Sequence, residues 1–185
     1  MTWLEYIFWT VWALGVLLIL AYAFVIPFGA PYLPTMKNQR ENALDLLGLR
    51  PGQTLVDLGS GDGSILVLAA QHKLHAVGYE INPFLFIFSW LRTRRYGRKV
   101  KIKFRSFWQA DLSQADGVFV FLITHHMKRL DRLLTNRNLR VRPVEHNLRV
   151  VPVGREKPLK VVSHAFKIPG KKHLKKSGAL FLYQY

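Results

Sequence analysis

Residues 55–64 read LVDLGSGDGS: a hydrophobic run ends in Asp57 and breaks into Gly59, Gly61 and Gly63. Apolar residues leading to an acid, then glycines at every second position, describe a buried strand whose backbone turns sharply at its carboxyl end. A backbone without side chains can pass close beneath a ligand. The stretch therefore reads as a nucleotide-type loop between a strand at 54–59 and a helix at about 64–71. The same rhythm continues on both sides. NQRENALDLLGL carries an Ala43, Leu44, Leu46 and Leu47 stripe suited to a helix, and HAVGYE, 75–80, is a second strand. Asn82 and Pro83 form an N-cap and first-turn pair that opens another helix. Strands follow at 100–107 and 117–123, a helix at 125–134, and strands at 160–166 and 179–185. Short-linked alternation of this kind predicts an α/β fold: an open, mostly parallel sheet with helices on both faces.

A dinucleotide fingerprint needs G-x-G-x-x-G and a P-loop needs G-x-x-x-x-G-K-[ST]; the chain has neither. Its D-L-G-S-G-D-G is closer to the first motif of class I methyltransferases, a Rossmann-like fold in which the glycines pass under the methionine part of S-adenosylmethionine. Glu80 ends the second strand 21 residues after Gly59, where an acid can accept both ribose hydroxyls. Acids at two consecutive strand ends point to a ligand more strongly than glycines alone.

The chain has no cysteine, which excludes disulfides, thiolate metal sites and cysteine nucleophiles. No H-E-x-x-H spacing occurs either, so no metal is expected. Charge is one-sided. Residues 1–91 hold four Lys and Arg against six acids, a net −2, whereas residues 92–185 hold 23 against five, a net +18. Such a half seeks a polyanion, either nucleic acid or an anionic membrane face.

Residues 3–26, WLEYIFWTVWALGVLLILAYAFVI, carry one charge, Glu5. As a helix they are long enough for a hydrocarbon core of about 30 Å. Trp3, Trp9, Trp12 and Tyr22 include positions near both ends, as in aromatic belts, and Pro27, Gly29 and Pro31 stop the helix. Without basic residues ahead of it or a small-x-small cleavage site, it reads as an uncleaved single-pass anchor, 1–30, before a catalytic domain, 31–185. Every Lys and Arg follows the anchor, so that domain is expected in the cytoplasm or an equivalent compartment.

PYLPTMKNQRENALDLL at 31–47, VDLGSGDGSI at 56–65 and AVGYEINPFL at 76–85 resemble the small, membrane-anchored lysine methyltransferases that modify the ATP synthase c subunit and the adenine nucleotide translocase, with their bacterial relatives. The resemblance covers most of residues 1–134. It implies S-adenosylmethionine as cofactor, held by Pro34, Thr35, Asp57, Gly59, Ser60, Gly61, Asp62, Gly63, Glu80, Asn82 and Ser106. Two departures stand out: Ser106 precedes Phe107 and Trp108 where the family has Asp or Asn, and Ser64 follows the GDG where it has Arg.

Lysine methylation needs a neutral amine, yet a free lysine is neutral only about once in 2,500 molecules at pH 7. The site must desolvate the amine or take its proton. Trp108 and Phe107 offer faces to a cationic cofactor, and His125 and His126, after the fourth strand, offer a base; Trp108 and His125 are the expected catalytic side chains. NPFLFIFSWLRTRRYGRK, 82–99, is expected as a core helix with a solvated basic tail, or else as a helix lying in the headgroup layer. Lys171, Lys172, Lys175 and Lys176 have the spacing of a basic helical face. Residues 135–158 form an unusual basic insert in which NLRVRPV returns as NLRVVPV, suited to a two-stranded flap or to disorder. The reading is a methyltransferase acting on a lysine of a membrane protein, at a bilayer surface. The alternatives are an RNA methyltransferase drawn to phosphate by the +18 half, and an inactive cofactor-binding module on the membrane.

Overall fold

The computed structural model describes residues 2–25, 35–137, 140–141, 152–153 and 158–185. Five strands run parallel: β1 (Thr54–Leu58), β2 (His75–Glu80), β3 (Val100–Phe104), β4 (Gly117–Val120) and β7 (Lys160–His164). Two more, β8 (Lys175–Ser177) and β9 (Leu180–Gln184), add antiparallel, giving the order β3-β2-β1-β4-β7-β9-β8. A separate short pair joins β5 (Arg140–Val141) to β6 (Pro152–Val153), as a flap would; most of the duplicated NLRV segment lies outside the described residues.

Alternate residues along the sheet build two cores. Leu55, Phe119, Val162 and Leu182 meet α2 (Lys37–Leu47) and α3 (Ser64–Gln71) through Ala43, Leu44, Leu47, Ile65, Leu66 and Ala69. The opposite row, with Val56, Leu58, Val118, Val120 and Val161, meets α5 (Thr124–Arg137) through Met127, Leu130 and Leu134. Strands so covered on both faces read as continuous apolar runs, as β4 does.

Three expectations need correction. The third strand stops at Phe104, and Ser106 starts a 3-10 turn over Phe107–Gln109. Lys175 and Lys176 belong to a strand instead of a helix face, because Gly178, with φ +56°, turns the chain back into β9. The third concerns α4 (Pro83–Thr93), which is not a core helix: it buries only Ser89 and Thr93, leaves Leu85 and Phe86 half-buried, and exposes Phe84, Ile87, Phe88, Trp90 and Leu91. α1 (Trp3–Val25) is long and apolar enough to cross a membrane, and nothing in its Trp3–Leu20 stretch is buried.

Candidate active site

The strand order reverses between β1 and β4, and open α/β sheets bind ligands at the carboxyl ends flanking such a point. Asp57, Gly59 and Glu80 all lie there. Gly59, Gly61 and Gly63 adopt φ of +90°, +53° and +74°, a region where side chains are strained. Beside Gly59 the space that a Cβ would take is empty to 4 Å, so something can lie against the loop. Gly63 is glycine for a second reason. A Cβ there would overlap Ser89 Oγ and reach 3.2 Å from Ser89 Cβ. Gly63→Ala is thus expected to cost about 2–4 kcal/mol from strain and overlap together, read as a lower Tm. Ser89→Gly in that background should restore only the overlap part.

Glu80 is 6% exposed and organises the loop. Its Oε2 accepts from Gly61 N at 2.8 Å, and its Oε1 accepts from Ile81 N at 2.9 Å and Asn82 N at 2.8 Å. Burial nevertheless pushes its carboxyl above the usual range. Asp57, 4% exposed, has no hydrogen-bond partner among the described residues; burial, then the charges of Glu80 and Asp62, push it up to about 8. A buried Asp57 carboxyl with no partner, beside a second buried acid, suits a ligand that brings positive charge and hydroxyl donors. The Ser60 hydroxyl, buried without a partner, is a further polar group in the same loop.

Asp62 behaves differently. Against the cost of burial, the Ser64 hydroxyl and amide, and then Arg92, hold its carboxyl below the usual range. Arg92 Nη1 donates to Asp62 Oδ2, to Ser64 Oγ at 2.6 Å and to Asp62 O at 3.3 Å. Ser64 and Asp62 thus meet a guanidinium from α4, a contact across helices that no local motif reveals.

The remaining expected residues are placed as follows. Asn82 Oδ1 accepts from Phe84 N at 2.9 Å and Leu85 N at 3.3 Å, so it caps α4. Thr35 is half-buried just before α2, and Pro34 lies outside the described residues. Ser106 is half-buried and heads the 3-10 turn without a side-chain capping bond. Phe107 is buried in the α5-side core, and Trp108 is half-buried with the Arg129 guanidinium 4.2 Å above its ring. His125 is exposed on the first turn of α5; its neighbour His126 packs edge-on to Trp108, with ring centroids 5.7 Å apart. Burial, His125 and Arg129 lower the pKa of His126.

One titratable group went unnoticed in the sequence. His164 ends β7, is 6% exposed, and has an Nδ1 without a partner. The register pairs Asp57 with Phe119 and Phe119 with Val162, so His164, two residues on in β7, lies toward the carboxyl ends on the Asp57 side of the sheet. The Phe121 and His164 rings stand 4.3 Å apart, and burial lowers the imidazole pKa. The signal was SHAF, a histidine at a strand end like the 125–126 pair. Among the described residues no cluster of His, Asp and Glu is arranged to hold a metal.

Comparison with known proteins gives the site its context. The chain is 35% identical over 147 residues to the human lysine N-methyltransferase named for the c subunit of ATP synthase, covering 74% of this chain and 60% of that protein. It is 31% identical over 146 residues to a protein-lysine N-methyltransferase of Saccharolobus islandicus, covering 76% and 79%. Among solved structures, an RNA methyltransferase from Salinibacter ruber in complex with S-adenosyl-L-homocysteine superposes with a TM-score of 0.65 at 24% identity, over 83% of this chain and 92% of that one, a likeness of fold. The ANTKMT methyltransferase domain pattern matches residues 57–150, which opens at Asp57 and takes in the glycine loop, Glu80 and both histidines of α5, and the chain belongs to that family.

Proposed function

We propose that this protein is an S-adenosylmethionine-dependent lysine methyltransferase, anchored by α1, that acts on a protein at a membrane surface. The observation that carries the reading is the pair of buried carboxyls, Asp57 and Glu80, at adjacent strand ends around the open glycine loop. Glu80 would take the ribose hydroxyls, Asp57 would face the positive end of the ligand, and Ser60 and Ser106 would supply further polar contacts. When bound, the cofactor supplies a methyl group on a sulfonium, ready for transfer to a neutral amine. Names of relatives support the amine as substrate, since those relatives are called lysine methyltransferases.

The chain's own task is then to deprotonate the amine and keep water away. Burial lowers the His164 pKa and so favours the neutral ring, and its Nδ1, without a partner, can accept the proton. Phe121 beside it and Trp108 near His126 wall the site with apolar surface. His125, exposed, contributes after burial to the lowered pKa of His126. His164→Gln is expected to lower kcat about a hundredfold at pH 7 and to remove the acid limb of the pH–rate profile, with cofactor affinity unchanged. An equal loss in His126→Gln, with His164→Gln near wild type, would move the proton acceptor to α5.

Membrane anchoring favours a membrane protein as substrate, since α1 confines the site to the bilayer surface and raises its effective concentration there. All Lys and Arg follow α1, which favours the cytoplasmic side or its equivalent for the catalytic domain. The test is incubation of the full chain in detergent with tritium-labelled methyl donor and a membrane extract. Protease-sensitive label is expected. Ribonuclease-sensitive label would make RNA the substrate, in keeping with the +18 half.

A further inference from the structure

Helix α4 is inside out. A helix flanking a sheet normally turns its large apolar residues inward, but α4 buries Ser89 and Thr93 and exposes Phe84 (43%), Ile87 (53%), Phe88 (52%) and Leu91 (47%). These four recur at i, i+3, i+4 and i+7, forming one continuous stripe. The inward choice has a cause: Gly63 approaches so closely that only a small residue fits at 89. Nothing comparable dictates the outward one. Solvation would favour polar residues there, and a stripe of large apolar side chains marks a surface meant to be covered.

What surrounds the stripe indicates what covers it. α4 runs into a 3-10 turn, Arg94–Lys99, with Arg94, Arg95, Arg98 and Lys99 exposed. Lys37 and Arg40 of α2 join Arg92 and Arg95 in lining a groove alongside. Arg92 is tied to Asp62 and Lys37 lies 4.0 Å from Glu41, whereas Arg40 and Arg95, the latter 5.0 Å over the Tyr96 ring, have no ion pair among the described residues. An apolar stripe edged by cations matches the boundary between acyl chains and anionic headgroups. Chain length adds a constraint. Eleven residues, and so twelve Cα–Cα steps, separate Val25, the last of α1, from Lys37, the first of α2. At full extension they span about 40 Å, so an α1 in a bilayer keeps α2 and its groove close to the surface.

The geometry points to α4 as a second membrane contact: its Phe84, Ile87, Phe88 and Leu91 stripe enters the interface of an anionic bilayer, and the Arg40 and Arg95 groove receives a lipid phosphate. The contact fixes the orientation of the domain, since Asn82, the cap of α4, lies two residues beyond Glu80. The carboxyl end of β2, and with it the cofactor site, is thereby held at the membrane face, where a lysine close to the headgroups can reach it. This inference rests on the anchored reading and adds a docking surface to it.

The absence of cysteine allows a clean test with spin labels. Full chains bearing Ile87→Cys, Leu91→Cys, Leu14→Cys in α1 or the exposed Gln114→Cys are labelled and reconstituted in vesicles of phosphatidylcholine, with or without phosphatidylglycerol. Accessibility to oxygen is then compared with accessibility to a water-soluble nickel complex. With phosphatidylglycerol present, the oxygen-to-nickel ratio at 87 and 91 is expected to exceed that at 114 by about threefold or more. Arg40→Glu with Arg95→Glu should return it to the value at 114, since the anionic attraction is lost. Ratios at 87 and 91 equal to that at 114, with the label at 14 embedded, would overturn the inference and leave the anchor standing. Spin–spin broadening at 87 would overturn it in favour of a second copy of the chain. A water-exposed label at 14 would contradict the anchored reading and this inference together.

Discussion

A Glu80→Ala chain is expected to bind S-adenosylhomocysteine at least about a hundredfold more weakly than wild type, and to lose methyl transfer with it. One carboxylate accepts three backbone amides, from Gly61, Ile81 and Asn82, at 2.8–2.9 Å. Bonds to a charged acceptor are worth about 1.5–3 kcal/mol each, and truncation leaves the amides unpaired in a buried place. The loop would lose its fixed shape, and the ligand would lose the acceptor for its ribose. Glu80→Gln should fall between, because one terminus of the side chain becomes a donor facing a donor. Calorimetric titration of the three chains in detergent checks the order. Near-equal affinity of Glu80→Ala and wild type would remove Glu80 from the site.

The second large effect is on pH. Free of ligand, Asp57 holds its proton up to about 8, above its value of 3.8 in an unfolded chain. The folded state therefore binds this proton more tightly than the unfolded state does. Its stabilising contribution is complete below about pH 4 and is lost as pH rises through about 8, at close to 1.4 kcal/mol per unit within that window. The free protein should be less stable at pH 9 than at pH 6, and Asp57→Asn should flatten that slope. Ligand binding runs the other way. A positively charged group beside Asp57 favours the carboxylate, so binding below pH 8 expels a proton, and affinity should rise up to about tenfold per pH unit before levelling off. Calorimetry in buffers of different ionisation heat counts the proton directly. Asp57→Asn should release none and bind more weakly at pH 8. Release by Asp57→Asn equal to wild type would assign the proton to another group.

The residues explain which features were legible in the sequence. β1, the glycine loop, α3 and β2 follow from local rules: an apolar run, an acid, then glycines whose positive φ the structure confirms. α4 starts where Asn82 and Pro83 place it, because capping is a matter of adjacent residues. Its burial was misjudged for a tertiary reason, since the tight approach of Gly63 turned Ser89 inward. Arg92 reaches Ser64 from 28 residues away, and His164 joins Phe121 only through strand register. The third strand ends early because alternation persists past Phe104 into a segment that turns instead of pairing. β8 was misread because lysines spaced for a helix also suit an edge strand, where charge guards against further pairing.

The most direct test of the central claim is chemical. The full chain and its Glu80→Ala variant are incubated with labelled methyl donor and membranes, the protein fraction is hydrolysed to amino acids, and the label is assigned by mass. Methylated lysine, formed by wild type and absent with Glu80→Ala, is the predicted result. Label on another amino acid or on nucleotides, or methylated lysine at equal yield from both chains, would contradict the account.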